Sequence, residues 1–211
     1  MSGKGVKLNR LFLNCLPQQL SSRAETLVWK GDIVEKASFE KHKEKSKGQS
    51  YKCAVITVST SRYTKYGASG SPEDCDDESG RVIIDLLRAA GHKTAYKLLS
   101  DDRLAIEQCV MEMLRDADAA IVCGGTGLTA SDVTLEAVTP MLQKTIPGFG
   151  ELFRIKSYEE VGTASMLSRA MAGVVEDKVV FCIPGSPNAA KTAVAGLIVP
   201  ELGHVITHVR K

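Results

Sequence analysis

From Tyr51 onward the chain alternates between short apolar runs and amphipathic stretches. Cys53–Ser59 (CAVITVS) is a continuous run rich in β-branched residues, the pattern of a parallel strand buried on both faces. A stretch rich in Gly, Ser, Pro and Asp follows from Thr60 to Asp77 and reads as a loop. Ser79–Ala90 predicts a helix, with Val82, Ile83, Leu86 and Leu87 on one face and Gly91 as its stop. Thr94–Leu99 reads as a short strand. Asp101 or Asp102 is placed to cap a helix carrying Leu104, Ile106, Cys109, Val110 and Met113. Ala119–Cys123 (AAIVC) and Lys178–Ile183 (KVVFCI) are further buried strands, and Asn188–Val199 is a last helix.

Strands that alternate with helices predict an α/β fold, a mostly parallel sheet with helices on both faces. In such sheets ligands bind beyond the carboxyl ends of the strands. The loops after Val58, Leu99, Cys123 and Ile183 are therefore where chemistry is expected.

Length and charge add an appendage to this picture. The 211 residues suit one domain with an extension, and 44% hydrophobic with 25% charged residues is ordinary for a globular chain. The net charge of +2 excludes a nucleic-acid polycation as a whole. The charge is uneven: residues 1–50 hold 10 Lys/Arg against 5 Asp/Glu, and residues 51–211 hold 17 against 20. A basic, flexible extension over residues 1–50 and a functional domain over 51–211 are expected. SFEKHKEKSKGQS has no apolar periodicity and reads as a solvated arm, while LNRLFLNCL and ETLVWK can form short ordered pieces, with Trp29 for a docking contact. Charged blocks of this kind are usually solvated tails, so no nucleic-acid role is expected of it.

Six cysteines (15, 53, 75, 109, 123 and 182) show no CxxC spacing, which argues against zinc. Cys53, Cys123 and Cys182 lie in apolar runs, where Cys acts as a small hydrophobe, and the set suits a reducing, cytoplasmic compartment. LFLNCL is too short for a signal segment, and no run approaches 18 apolar residues, so no membrane segment is expected.

Three of the loops carry candidate chemistry. Gly124–Thr134 (GGTGLTASDVT) has glycines whose N–H groups can nest an anion, hydroxyls on Thr126, Thr129 and Ser131, and Asp132 where a helix begins. Capping and catalysis are both open for Asp132. The loop matches G-x-G-x-x-A at Gly125, Gly127 and Ala130, but it follows the third strand rather than the first and lacks the acidic residue that ribose binding needs. Pro184–Thr192 (PGSPNAAKT) offers Gly185, Ser186 and Asn188 at a helix start. Ala190 stands where a phosphate-cradling G-x-x-x-x-G-K-T needs its second glycine. In Leu99–Arg103 (LSDDR) one Asp is read as a cap, and the functional reading is a Mg²⁺ ligand. Two glycine-rich loops with Asp101 and Asp132 point to phosphate-and-metal chemistry, which needs positioning and charge neutralisation and no nucleophilic side chain.

TVSTSR, GGTGLTASDVTLEAV, PGFGELFR, SYEEVGTASMLSRAMAG and PGSPNA, in this order and spacing, resemble the MoaB/MogA family of molybdenum-cofactor biosynthesis, over about Phe39 to His204. STSRY is similar to its archaeal-type MoaB branch. The resemblance implies a three-layer α/β/α sandwich and a molybdopterin adenylyltransferase that uses Mg²⁺ and ATP. Asp101 and Asp132 match the essential acidic pair, as catalytic residues and metal ligands. Ser59, Thr60 and Ser61, Gly124, Gly125, Thr126 and Gly127, Gly148, Ser168 and Arg169, and Pro184, Gly185, Ser186, Pro187 and Asn188 match substrate-binding segments. The resemblance further implies a homotrimer or hexamer, other cofactor-synthesis enzymes as partners, and molybdenum or tungsten as the metal inserted later. Another reading within the same pathway is a molybdopterin carrier with little catalysis.

Two positions depart from the family pattern. Bacterial relatives often have Asp where this chain has Thr60, and Pro or Arg where it has Ser131, the latter removing a positive charge near the nucleotide. Phe149, Leu152, Phe153, Ile155, Met166 and Leu167 read as helix core or subunit interface.

Overall fold

A computed structural model describes residues 48–211. The extension drawn at residues 1–50 lies outside the described residues except for its last three, which are exposed. Six strands form one sheet in the order β2-β1-β3-β6-β5-β4. They are β1 (Lys52–Val58), β2 (Lys93–Leu99), β3 (Ala119–Cys123), β4 (Lys144–Thr145), β5 (Met171–Val175) and β6 (Lys178–Ile183). β2, β1, β3 and β6 run parallel, with Val55 level with Tyr96 and Ile121, and Ile121 level with Phe181. β5 and β4 are added antiparallel at one edge. These two short edge strands were absent from the sequence reading: β4 has two residues, and β5 (MAGVV) carries a glycine and no long apolar run.

Successive strand residues face opposite sides of the sheet, and each side is closed by helices. Cys53, Val55, Ile121 and Phe181 face α2 (Glu78–Ala89), α5 (Pro147–Val161) and the C-terminal helical run, burying Ile83, Leu87, Phe153 and Ile198. Ala54, Ile56, Val122 and Cys182 face α3 (Arg103–Leu114) and α4 (Thr134–Val138), burying Ile106, Val110 and Val138. This is the three-layer α/β/α architecture. The central strands are apolar at nearly every interior position because both faces are covered.

Two predicted boundaries change. The expected loop after β1 begins with a two-turn helix, α1 (Thr60–Tyr66), started by Ser59, whose side chain accepts from the Arg62 N–H. The last helix does not stop at Val199. It runs as α6 (Pro187–Ala193), a π segment (Val194–Ile198) and α7 (Val199–Val209). This 23-residue run is long and apolar enough, by length and composition, to cross a membrane. Its inner face, including Ala190, Val194, Ile198, Leu202 and Ile206, is built into the core beside the sheet.

Candidate active site

The chain passes from β1 to β2 on one side and then crosses back over to β3 on the other side of β1. Between β1 and β3 the carboxyl-end loops splay apart, and that is where an open α/β sheet holds its ligand. Ser59 N–H donates to Leu99 O at 2.9 Å and Gly124 N–H to Ile183 O at 3.0 Å, tying the four loops to one edge. They enclose a cavity of about 510 Å³.

The cavity wall contains Ser59, Thr60, Ser61, Asp101, Gly124, Gly125, Thr126, Gly127, Asp132, Ser168, Arg169, Pro184 and Gly185. Residues from five separate segments thus converge on one cavity. Gly148, Ser186, Pro187 and Asn188 lie outside this wall. Gly148 is at the start of α5. Ser186 caps α6 by accepting from Ala189 N–H at 3.2 Å, and Pro187 is the first residue of that helix. Asn188 lines a different cleft of about 560 Å³, with Lys156, Glu160 and Lys191. That cleft is slightly larger, but only one predicted site residue reaches it.

The structure settles which acidic residues cap helices. Asp102 caps α3, its Oδ1 accepting from Ala105 N–H at 2.8 Å. Asp101 does not cap. Its Oδ2 accepts from Thr60 N–H at 3.0 Å and Thr60 Oγ1 at 2.7 Å. Asp132 does not cap either, because α4 starts at Thr134. Its Oδ2 accepts from Thr129 N–H at 2.9 Å and from the Thr129 hydroxyl. The Thr129 hydroxyl, backbone donors and nearby Arg169 hold the Asp132 carboxyl below its ordinary range, against a smaller opposing effect of burial.

Both carboxylates lean on glycines. A Cβ on Gly125 would come 2.7 Å from Asp101 Oδ1, and one on Gly127 would come 2.8 Å from Asp132 Oδ2. Gly125 also has φ +61°, a left-handed conformation that side chains resist. The loop therefore approaches the acidic pair more closely than any other residue type permits.

Arg169 is committed to the protein. Its Nε donates to Thr126 O at 2.9 Å, and its two Nη atoms grip Glu136 at 2.7 and 3.4 Å. The guanidinium holds the Glu136 carboxyl below its usual value. Arg169 thus braces the glycine loop while its edge lines the cavity. Glu136 carries no signal in the sequence for this role, being 33 positions away. Arg62, Thr57, Val58, Cys123 and Leu167 also line the wall and were not predicted to. The signal for Thr57, Val58 and Cys123 was their place at the ends of β1 and β3. Cys123 is fully buried, its thiol pushed up to about 12 by burial and by Asp77. Behind it, buried Asp77 accepts from the Tyr96 hydroxyl at 2.8 Å.

The acidic and hydroxyl side chains of the wall offer oxygen donors: the carboxylates of Asp101 and Asp132 and the hydroxyls of Ser59, Thr60 and Ser61. Such a set suits Mg²⁺, which is commonly held by one or two carboxylates with substrate phosphates completing the shell. Among the described residues no three His, Cys, Asp or Glu side chains converge as a complete metal cage. The residues present therefore fit a metal that arrives with a phosphate ligand.

A three-layer α/β sheet with a glycine-lined cavity at the carboxyl edge of its strands defines an α/β protein with a ligand pocket at its switch point. The chain belongs to the MoaB/MogA family: residues 54–204 match the family described as "Probable molybdopterin binding domain". It is 42% identical to molybdenum cofactor biosynthesis protein B of Bacillus subtilis over 178 residues, 82% of this chain and 98% of that one. The Staphylococcus carnosus protein of the same name is 44% identical over 164 residues, covering 75% of this chain and 91% of its own. Among solved structures, the tungsten cofactor synthesizing protein MoaB of Pyrococcus furiosus superposes with a TM-score of 0.68 at 38% identity, over 77% of this chain and 99% of that one.

Proposed function

We propose that this protein acts in molybdenum- or tungsten-cofactor biosynthesis as a Mg-ATP-dependent molybdopterin adenylyltransferase. The observation that carries this reading is the placement of Asp101 and Asp132 on one cavity wall, each backed by a glycine of the same loop. The matches to proteins named for molybdenum and tungsten cofactor synthesis support the pathway.

In the proposed reaction a terminal phosphate oxygen of molybdopterin attacks the α-phosphorus of ATP. A new P–O bond forms, the bond from that phosphorus to the β-phosphate bridge breaks, and pyrophosphate leaves with the electron pair. The attacking phosphate is already anionic, so no side-chain base is required. Bound Mg²⁺ would neutralise triphosphate charge. Asp101 and Asp132 are its proposed ligands. Gly124–Gly127 supply backbone donors to phosphate oxygens, and Ser59, Ser61 and Ser168 supply hydroxyls. Transfer of this kind depends chiefly on positioning and charge neutralisation.

The chain also self-associates in this reading. On α5 and the 3₁₀ segment after it, Ile155, Tyr158 and Met166 line one exposed depression, with Met166 at 76%. An apolar surface of this kind marks an interaction site. A second copy is the proposed occupant, in a trimer or a pair of trimers.

The test is pyrophosphate release from ATP with every component varied. Release that requires both Mg²⁺ and molybdopterin is expected. Tight molybdopterin binding without release would identify a carrier instead.

A further inference from the structure

We infer that Thr60 is a positioning residue that presents one oxygen of Asp101 to the cavity. The inference rests on the proposed reading of Asp101 as a cation ligand and assigns a role to its neighbour.

Thr60 and Asp101 are 41 positions apart and joined by three hydrogen bonds. Thr60 N–H donates to Asp101 Oδ2 at 3.0 Å, and the Thr60 hydroxyl donates to the same oxygen at 2.7 Å. In return Asp101 N–H donates to Thr60 Oγ1 at 3.0 Å. The hydroxyl has one proton and is used as donor and acceptor at once, so its rotation is fixed. Both partners stand on anchored backbone. Thr60 is the first residue of α1, directly after Ser59, whose N–H bonds Leu99 O.

The two carboxylate oxygens of Asp101 are therefore unequal. Oδ2 takes two donors, and Oδ1 accepts no hydrogen bond among the described residues. Oδ1 instead faces bare Gly125, where a Cβ would come within 2.7 Å. One oxygen is tied down and the other is left as a single directed acceptor at the cavity wall. Carboxylates that ligate metals are commonly held in orientation by hydrogen bonds from neighbouring groups, as Thr60 holds Asp101. A residue lacking a side-chain hydroxyl at 60 would keep only the backbone bond, and the carboxylate could rotate about it.

The experiment uses the Mn²⁺–ATP complex as the probe, its binding to the full-length protein read from the enhanced relaxation rate of water protons around the manganese. Wild type, Thr60→Ser, Thr60→Val and Asp101→Asn are compared, with a melting temperature for each. Wild type and Thr60→Ser should bind equally. Thr60→Val should bind about tenfold more weakly, the scale of one hydrogen bond to a charged group. Asp101→Asn should lose the site. If Thr60→Val melts early, Thr60→Ala removes the same hydroxyl with less bulk and should show the same weakening. Should the Thr60 variants without a hydroxyl bind as wild type does while Asp101→Asn fails, the positioning role is wrong and Asp101 stays a ligand. Equal binding by wild type and Asp101→Asn would remove the cation reading and the positioning role together.

Discussion

Gly125 and Asp101 stand so close that only the missing side chain of the glycine lets them coexist: a Cβ would lie 2.7 Å from Asp101 Oδ1. Gly125 also has φ +61°. Gly125→Ala therefore meets a backbone cost of about 1–2 kcal/mol for the left-handed conformation, before any displacement of Asp101 is counted. The expected outcome is a lower melting temperature together with loss of pyrophosphate release. An alanine variant with wild-type turnover would show that the loop need not approach the carboxylate.

Glu136 and Arg169 clamp the glycine loop from its far side. Glu136→Gln keeps the shape and removes the ion pair, while Arg169 keeps its bond to Thr126 O. Both side chains are partly exposed, so the stability loss should stay within about 1 kcal/mol. Molybdopterin affinity should fall severalfold, because the loop proposed to cradle its phosphate is less firmly held. Fluorescence or calorimetric titration separates the two effects.

Stability should fall in steps as the pH is lowered. Burial depresses the His92 pKa below its ordinary 6.5, so the folded state resists the proton that the unfolded chain accepts. This contribution is whole above pH 6.5 and is lost on acidification toward the lower folded value. Glu136 has the same sign for a different reason, since Arg169 favours its ionised form. Its contribution is whole above the ordinary 4.5 and lost below that. Melting temperatures should begin to drop just under pH 6.5, and His92→Gln should flatten that first step alone.

The buried thiols should be inert in the native protein. Cys53 and Cys123 are pushed up to about 12, chiefly by burial, and burial also raises Cys182. None forms thiolate near neutrality, and the thiolate is the reactive species. Alkylation at pH 8 followed by mass spectrometry should leave all three unmodified until the chain is unfolded.

The exposed face of α5 gives a separate expectation. Ile155 is 60% exposed among other apolar side chains. Ile155→Asp should leave the fold intact and reduce the mass seen by light scattering to a single chain. An unchanged mass would contradict a subunit contact on this face.

Much of this site could be read in the residues themselves. Strands buried on both faces advertise themselves as apolar runs, so β1, β3 and β6 were legible, and the mixed edge strand β2 was read from its apolar end at Leu98 and Leu99; the loops at their ends followed. The glycine loop and both acidic residues followed from that edge. The antiparallel edge was not legible, because β4 spans two residues and β5 includes Gly173. α1 was hidden by a Ser- and Thr-rich start that resembles a loop, although Ser59 supplied its cap. Pairings across the sequence were invisible too. Nothing local says that Thr60 will grip Asp101 or that Arg169 will grip Glu136, because each bond is made by the packing of loops that the sheet brings together.

The most direct test of the account follows radiolabel from ATP into molybdopterin in the presence of Mg²⁺, with wild type and Asp132→Asn side by side. The account predicts adenylylated pterin from wild type and none from Asp132→Asn, with both proteins folded. Equal product from the two would contradict the role given to Asp132. No product from wild type, with molybdopterin still bound, would contradict the adenylyltransferase itself.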